Sequence, residues 1–144
     1  MAGVMRPDLV GLQFPVGALR IDPYEDWLAR DCIGAPAATD DLVHPGWTLF
    51  GALRGAGYDL ESIIQLCGAS WDDGVLFGET VVEQIEPLRH SVDYVVRGSF
   101  VEVQHRTGRK IAECDLVSYE LLIEHDDQLA VRCRNSFVVP RRRS

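Results

Sequence analysis

The stretch Pro45–Gly57, PGWTLFGALRGAG, decides how the rest of the chain is read. Trp47, Leu49, Phe50, Ala52 and Leu53 are apolar on nearly all sides of a helix, broken only by Thr48 and Arg54. A helix with no polar face is enclosed by other elements. Gly51, Ala52 and Gly55 let another backbone come close. After this helix the period changes. ETVVEQIEPL (79–88), SVDYVVRGSFVEVQHR (91–106), RKIAECDLVSYELLIEH (109–125) and QLAVRCRNSFVVP (128–140) are rich in Val, Ile, Tyr and Phe and mostly alternate. Thr107-Gly108 and HDDQ (125–128) separate the last three, which predicts an antiparallel meander. These runs reach a dozen residues or more, against a typical five or six. Gly98, where the alternation slips from Tyr94 and Val96 to Phe100, marks a bulge or a bend. Long bent strands after one wholly apolar helix predict an α+β domain, its sheet wrapped around the helix.

Upstream, DPYEDWLARDC (22–32) predicts a short helix. Asp22 is its N-cap, Pro23 suits the first turn, and Glu25 and Asp26 favour the positive end of the dipole. Tyr24, Trp27 and Leu28 share one face of it. DLESIIQLCG (59–68) predicts a further turn or two of helix capped by Asp59. Between the first helix and the central one runs DCIGAPAATDDLVHPGW (31–47), with three aspartates, Cys32 and His44. This is the composition of a catalytic loop or of the remains of one. Carboxylates and an imidazole are the residue types acid–base work uses; the plainer reading makes Asp31 a helix-end carboxylate and His44 a loop histidine bonded to backbone. Asp40 and Asp41 read as solvated loop acids or caps.

The chain of 144 residues reads as one domain, 1–144, with 47 % apolar and 25 % charged residues. A net charge of 14 − 22 = −8 argues against nucleic acid as a partner. No apolar run approaches the roughly 20 residues of a membrane helix, and the first residues lack the pattern of a secretory signal, so a cytoplasmic location is expected. Cys32, Cys67, Cys114 and Cys133 form no C-x-x-C pair and read as reduced thiols. With the histidines equally scattered, no metal or cofactor is expected. A basic cluster, Arg132, Arg134, Arg141, Arg142 and Arg143, reads either as a solubilising tail or as an electropositive rim for an acidic carrier protein or a phosphorylated ligand.

Taken in order, these stretches resemble the hot-dog fold, and within it the MaoC-like family of (R)-specific enoyl-thioester hydratases and 3-hydroxyacyl-thioester dehydratases. VLFGETVVEQIEPLRHSVDY and the three runs after it are similar to the family's polar strand, PLR-x-G-D turn and long strands; here the turn is PLRHSVDY, without the glycine. VHPGW (43–47) resembles the loop entering the family's central helix. The family's catalytic aspartate lies in Gly-Asp-x-Asn-Pro, with a histidine two positions after the proline. Registered on Trp27 and Pro36, that pattern puts Ile33 at the aspartate and Ala38 at the histidine. Neither moves a proton. The resemblance implies an acyl thioester of coenzyme A or acyl carrier protein as ligand. It implies one of three roles: a hydro-lyase using Asp31 and His44, a non-catalytic subunit shaping a partner's acyl channel, or a thioesterase on the same fold. It further implies a homodimer or a heterodimer with another hot-dog subunit. The N–H groups of Gly46, Trp47 and Thr48, at the head of the central helix, are expected to polarise the thioester carbonyl. Tyr24, Trp47 and Phe50 are expected to line the acyl site, and Phe77 and Gly78 to face the helix.

Overall fold

The computed structural model describes residues 6–110 and 113–141. A 3-10 turn at Pro7–Leu9 leads to β1 (Gly17–Leu19), α1 (Pro23–Cys32), α2 (Trp47–Gly55) and α3 (Leu60–Leu66). A second such turn, Trp71–Asp73, precedes β2 (Leu76–Gln84), β3 (Tyr94–Arg106), β4 (Cys114–His125) and β5 (Gln128–Pro140). The strands form one sheet in the order β1-β3-β4-β5-β2, every neighbouring pair antiparallel. As the alternation predicts, β3, β4 and β5 are long, at 13, 12 and 13 residues. The β4–β5 turn closes on Asp126 and Asp127, whose φ values of 49° and 60° lie in the left-handed region that aspartate tolerates.

The central helix α2 touches all five strands. Its small residues explain how. Gly51, Ala52 and Gly55 are buried, and a Cβ at Gly55 would stand 2.8 Å from Val96. The backbone therefore rests directly on the sheet. The other side is open: Phe50 is 67 % exposed. Enclosure by the sheet is thus one-sided, because five strands cover the small-residue face and leave the bulky one free. Under the helix, Phe14 meets Phe100 edge-on at 5.2 Å and Tyr119 stacks on Phe137 at 5.3 Å, within one core.

Two sequence expectations need correction. Gly98 pairs regularly with Leu121, and the extra residue of β3 falls between Phe100 and Glu102. Gly98 is bare for a different reason: a Cβ there would lie 2.4 Å from the Phe14 ring. On α1 the shared face of Tyr24, Trp27 and Leu28 is the outward one, while Asp26 is the buried residue. Finally, the basic cluster is neither tail nor rim over its described part. Arg132 pairs with Glu83 and Arg134 with Glu102 on the sheet, while Arg141 is buried against Asp115 at 2.8 Å. Arg142 and Arg143 lie outside the described residues.

Candidate functional site

The loop from Gly34 to Gly46 is fastened by two side chains of α1. Arg30 donates to the carbonyl of Pro36 at 3.0 Å and to that of Leu42 at 3.2 Å, binding both halves of the loop to the helix end. Asp26, one turn earlier and 1 % exposed, is the hub. Its Oδ1 accepts the His44 N–H at 2.9 Å and the Trp47 indole N–H at 3.1 Å. Its Oδ2 accepts Arg30 Nε at 2.9 Å and lies 2.7 Å from His90 Nε2. Burial alone would push this carboxyl up. The bonds from the His44 amide, His90 and Arg30 outweigh it and hold the group below the usual carboxylate range.

Two spaces lie at groups bound to this carboxylate. One, of about 290 Å³, lies at the head of α2 and is walled by Ala29, Ile33, His44, Gly46, Trp47 and Phe50. Two of its walls, His44 and Trp47, are the groups that Asp26 Oδ1 holds. The other is a cleft of about 690 Å³ between α1, the Ala37–Asp41 segment and the turn carrying His90 and Ser91. Asp26 and Ala38 line the cleft. The two dyad positions of the resemblance therefore open into different spaces, Ile33 into the apolar pocket and Ala38 into the cleft, with Asp26 bonded to side chains of both.

Of the expected site residues, His44, Gly46, Trp47 and Phe50 do meet in one pocket. Asp31 does not join them. It is exposed and lines neither space, because five residues past Asp26 is roughly 140° round the helix. Tyr24 is 63 % exposed and lines neither. Thr48 is buried, its hydroxyl donating to the Pro45 carbonyl at 2.7 Å. Phe77 and Gly78 sit on β2, where Phe77 packs 5.2 Å from Phe137.

The helix head itself departs from expectation. Trp47 N–H donates to the His44 carbonyl and Thr48 N–H to the Pro45 carbonyl, both at 3.0 Å, and Gly46 N–H donates to His44 Nδ1 at 3.0 Å. The loop turns back and takes all three donors. Gly46 N–H in turn fixes the His44 tautomer: Nδ1 accepts, so the neutral ring carries its proton on Nε2. That Nε2–H is the polar donor the pocket offers. Gly46 also leaves room for the ring, since a Cβ there would stand 3.1 Å from Nδ1.

Sequence reasoning missed Asp26 as a hub and His90 altogether. Asp26 reads as one more acid of the first helical turn, and the signal available was its i,i+4 spacing to Arg30. Nothing local marks His90. Cys32 is exposed and Cys67 buried, where burial pushes the Cys67 thiol up to about 12, far from a nucleophile. Among the described residues no group of three His, Cys, Asp or Glu is placed to hold a metal, and no helix is long and apolar enough to cross a membrane.

No family model and no curated protein matches the sequence. Solved structures do. The ChsH1–ChsH2 complex of Mycobacterium tuberculosis superposes with a TM-score of 0.71 at 13 % identity, over 92 % of this chain and 86 % of that one. This is the hot-dog fold. The HadBC (3R-hydroxyacyl-ACP dehydratase) complex of M. tuberculosis matches the hot-dog domain at a TM-score of 0.69 and 11 % identity, over 93 % and 99 % of the two chains. A MaoC-like dehydratase from Rhodospirillum rubrum matches at 0.56 and 13 %, over 99 % and 100 %. The hot-dog architecture expected from the central helix and the long strands is thereby established.

Proposed function

We propose that this hot-dog chain binds an acyl thioester, of coenzyme A or of acyl carrier protein, in the pocket at the head of α2. It serves there as a 3-hydroxyacyl-thioester dehydratase (enoyl-thioester hydratase) or as a subunit of one. The observation that carries the reading is the pocket itself. Four apolar side chains surround a single imidazole whose free Nε2–H is oriented by its neighbour's backbone, a setting suited to an apolar ligand with one carbonyl. His44 donates to that carbonyl, in place of the helix N–H groups that the loop has taken. Water chemistry is taken from the likeness to a dehydratase complex and a MaoC-like dehydratase; a probable thioesterase from Bartonella henselae is similar too, at a TM-score of 0.57, and the fold alone does not choose.

The chain acts as part of a larger assembly. All nine residues of β2 are exposed, and its outer edge is unpaired among the described residues, with Leu76, Phe77, Val81 and Val82 on it. An edge of this length and composition calls for another strand. That strand comes from a second copy or from a different hot-dog subunit.

Titration of the purified protein with crotonyl-CoA and a longer enoyl-CoA tests the reading. Saturable binding is expected, weakened about tenfold or more in Phe50→Asp, which places a charge in the apolar wall. Because Phe50 is exposed, its thermal midpoint should stay near that of the wild type. Conversion of crotonyl-CoA to 3-hydroxybutyryl-CoA, by the chain or by its mixture with a partner subunit, identifies the hydro-lyase. Release of free thiol would assign hydrolysis instead, and no binding to any acyl-CoA would overturn the proposal.

A further inference from the structure

His90 stands in the cleft that Ala38 lines, where the resemblance would have its histidine. Its backbone is fixed on both sides: the His90 N–H donates to the Asp41 carbonyl at 2.8 Å and the Ser91 N–H to the Ile21 carbonyl at 2.9 Å. Its ring is 12 % exposed, and its Nε2 lies 2.7 Å from Asp26 Oδ2. Asp26 is ionised and accepts from donors on both oxygens, so it takes the Nε2 proton's hydrogen bond and leaves the neutral ring a lone pair on Nδ1. Nδ1 has no partner among the described residues. A histidine held by a buried carboxylate, with one nitrogen free beside a cleft of about 690 Å³, has the parts of a general base.

We propose that His90 is the catalytic residue that moves the proton, with Asp26 as its positioning residue. The inference rests on the acyl-thioester reading above. In this assignment the thioester carbonyl meets His44 and the C2–C3 bond lies toward His90, the two histidines being linked through Asp26, which accepts the His44 amide on Oδ1 and faces His90 on Oδ2. In dehydration, His90 Nδ1 takes a proton from C2, and the electrons of that C–H bond form the C2=C3 double bond as the C3–O bond breaks. The departing hydroxide takes the proton back from Nδ1 and leaves as water. His90 returns to its starting state, and the 3-hydroxyacyl thioester has become enoyl thioester and water. Hydration is the reverse. Asp26 stabilises the imidazolium formed between the two transfers, as a carboxylate behind a histidine does in other proton-transfer sites. His44 does not take this part, since its Nδ1 is occupied by Gly46.

The test is His90→Asn in the full chain, assayed in whichever state (alone or with its partner subunit) the wild type hydrates crotonyl-CoA. The expected result is a fall of about 10²-fold or more in kcat, with the KM and the binding of 3-hydroxybutyryl-CoA close to wild type. The wild-type pH profile should show a limb that His90→Asn loses. The charged groups facing the ring are Asp26 and Arg30 on α1, Asp40 and Asp41 in the loop, and Arg89 in its own turn, paired with Asp41. His90→Gln, with a matching thermal midpoint, separates loss of chemistry from loss of fold. A full kcat in His90→Asn, or a wild type that binds the thioester yet never hydrates it, overturns the assignment and leaves the binding proposal standing. Absence of acyl-CoA binding removes both.

Discussion

Four donors from three segments converge on the Asp26 carboxylate: Arg30 in its own helix, the His44 amide and Trp47 indole at the head of α2, and His90 before β3. Losing the charge there loosens both walls of the site at once. The sign with pH follows from its depressed titration. The stabilisation is complete above the unfolded-state value of about 3.9 and is lost as the pH falls through the lower native one. Urea midpoints should therefore drop more steeply below about pH 4 in the wild type than in Asp26→Asn; parallel curves would rule out a stabilising carboxylate. Arg141 makes the same point at the other end of the sheet. It reaches Asp115 at 2.8 Å and the carbonyls of Cys67 and Gly68, and Asp115 also holds His105 Nδ1 at 2.8 Å. Arg141→Ala strands a fully buried carboxylate and should cost about 3–5 kcal/mol. Arg134→Ala, which breaks a half-exposed pair, should stay within about 1 kcal/mol. Equal losses in chemical denaturation would contradict this division. At this scale the sequence was least legible. The basic run around Arg141 gave no sign that one arginine turns inward, and His44 was recognisable only because it borders the central helix.

Among the elements, close approach by small residues does much of the positioning. β1 lies across the end of α2 because a Cβ at Gly17 would meet the Gly55 carbonyl at 1.8 Å, and one at Gly57 the Pro15 carbonyl at 1.7 Å. Backbone, not a flexible side chain, stands in the way. Gly57→Ala is therefore expected to destabilise by about 1–3 kcal/mol or more, read from the denaturation midpoint; an unchanged midpoint would mean that the Pro15–Gly17 segment yields freely. The period of β3, β4 and β5 was readable because each buries one face along a dozen residues. β2 was read three residues late, and its role was not readable, because strand propensity does not tell an edge from a centre. The α1 stripe of Tyr24, Trp27 and Leu28 was readable as one face, but not which way it points. An apolar stripe marks what wants covering, and no other described segment of this chain covers it.

Viewed whole, the protein leaves its apolar surface where an assembly would need it: on β2, on the outer face of α1 with Tyr24, Trp27 and Leu28, and at Phe50. Sedimentation of the wild type should show a species larger than the monomer, or one that forms only with a partner subunit. Val81→Lys, which puts a charge on the free edge of β2, should return it to monomer without a change in helix or strand content. A variant that still associates would place the interface elsewhere. The hot-dog layout came through in the sequence because it depends on coarse features, one small-faced apolar helix and three long strands. The proton-handling groups did not, because they come from separate segments that only the folded sheet brings together.

The strand order also sets a timetable for synthesis. β2 is made before β3 and β4, yet its sole neighbour in the sheet is β5, the last strand of the series. Until Gln128–Pro140 has left the ribosome, the β2 ribbon has both edges bare and nothing to lie against. The nascent chain must carry this sticky segment while residues 85–140 are added, a period in which chaperones have the greatest hold on it and crowding the greatest chance to misdirect it.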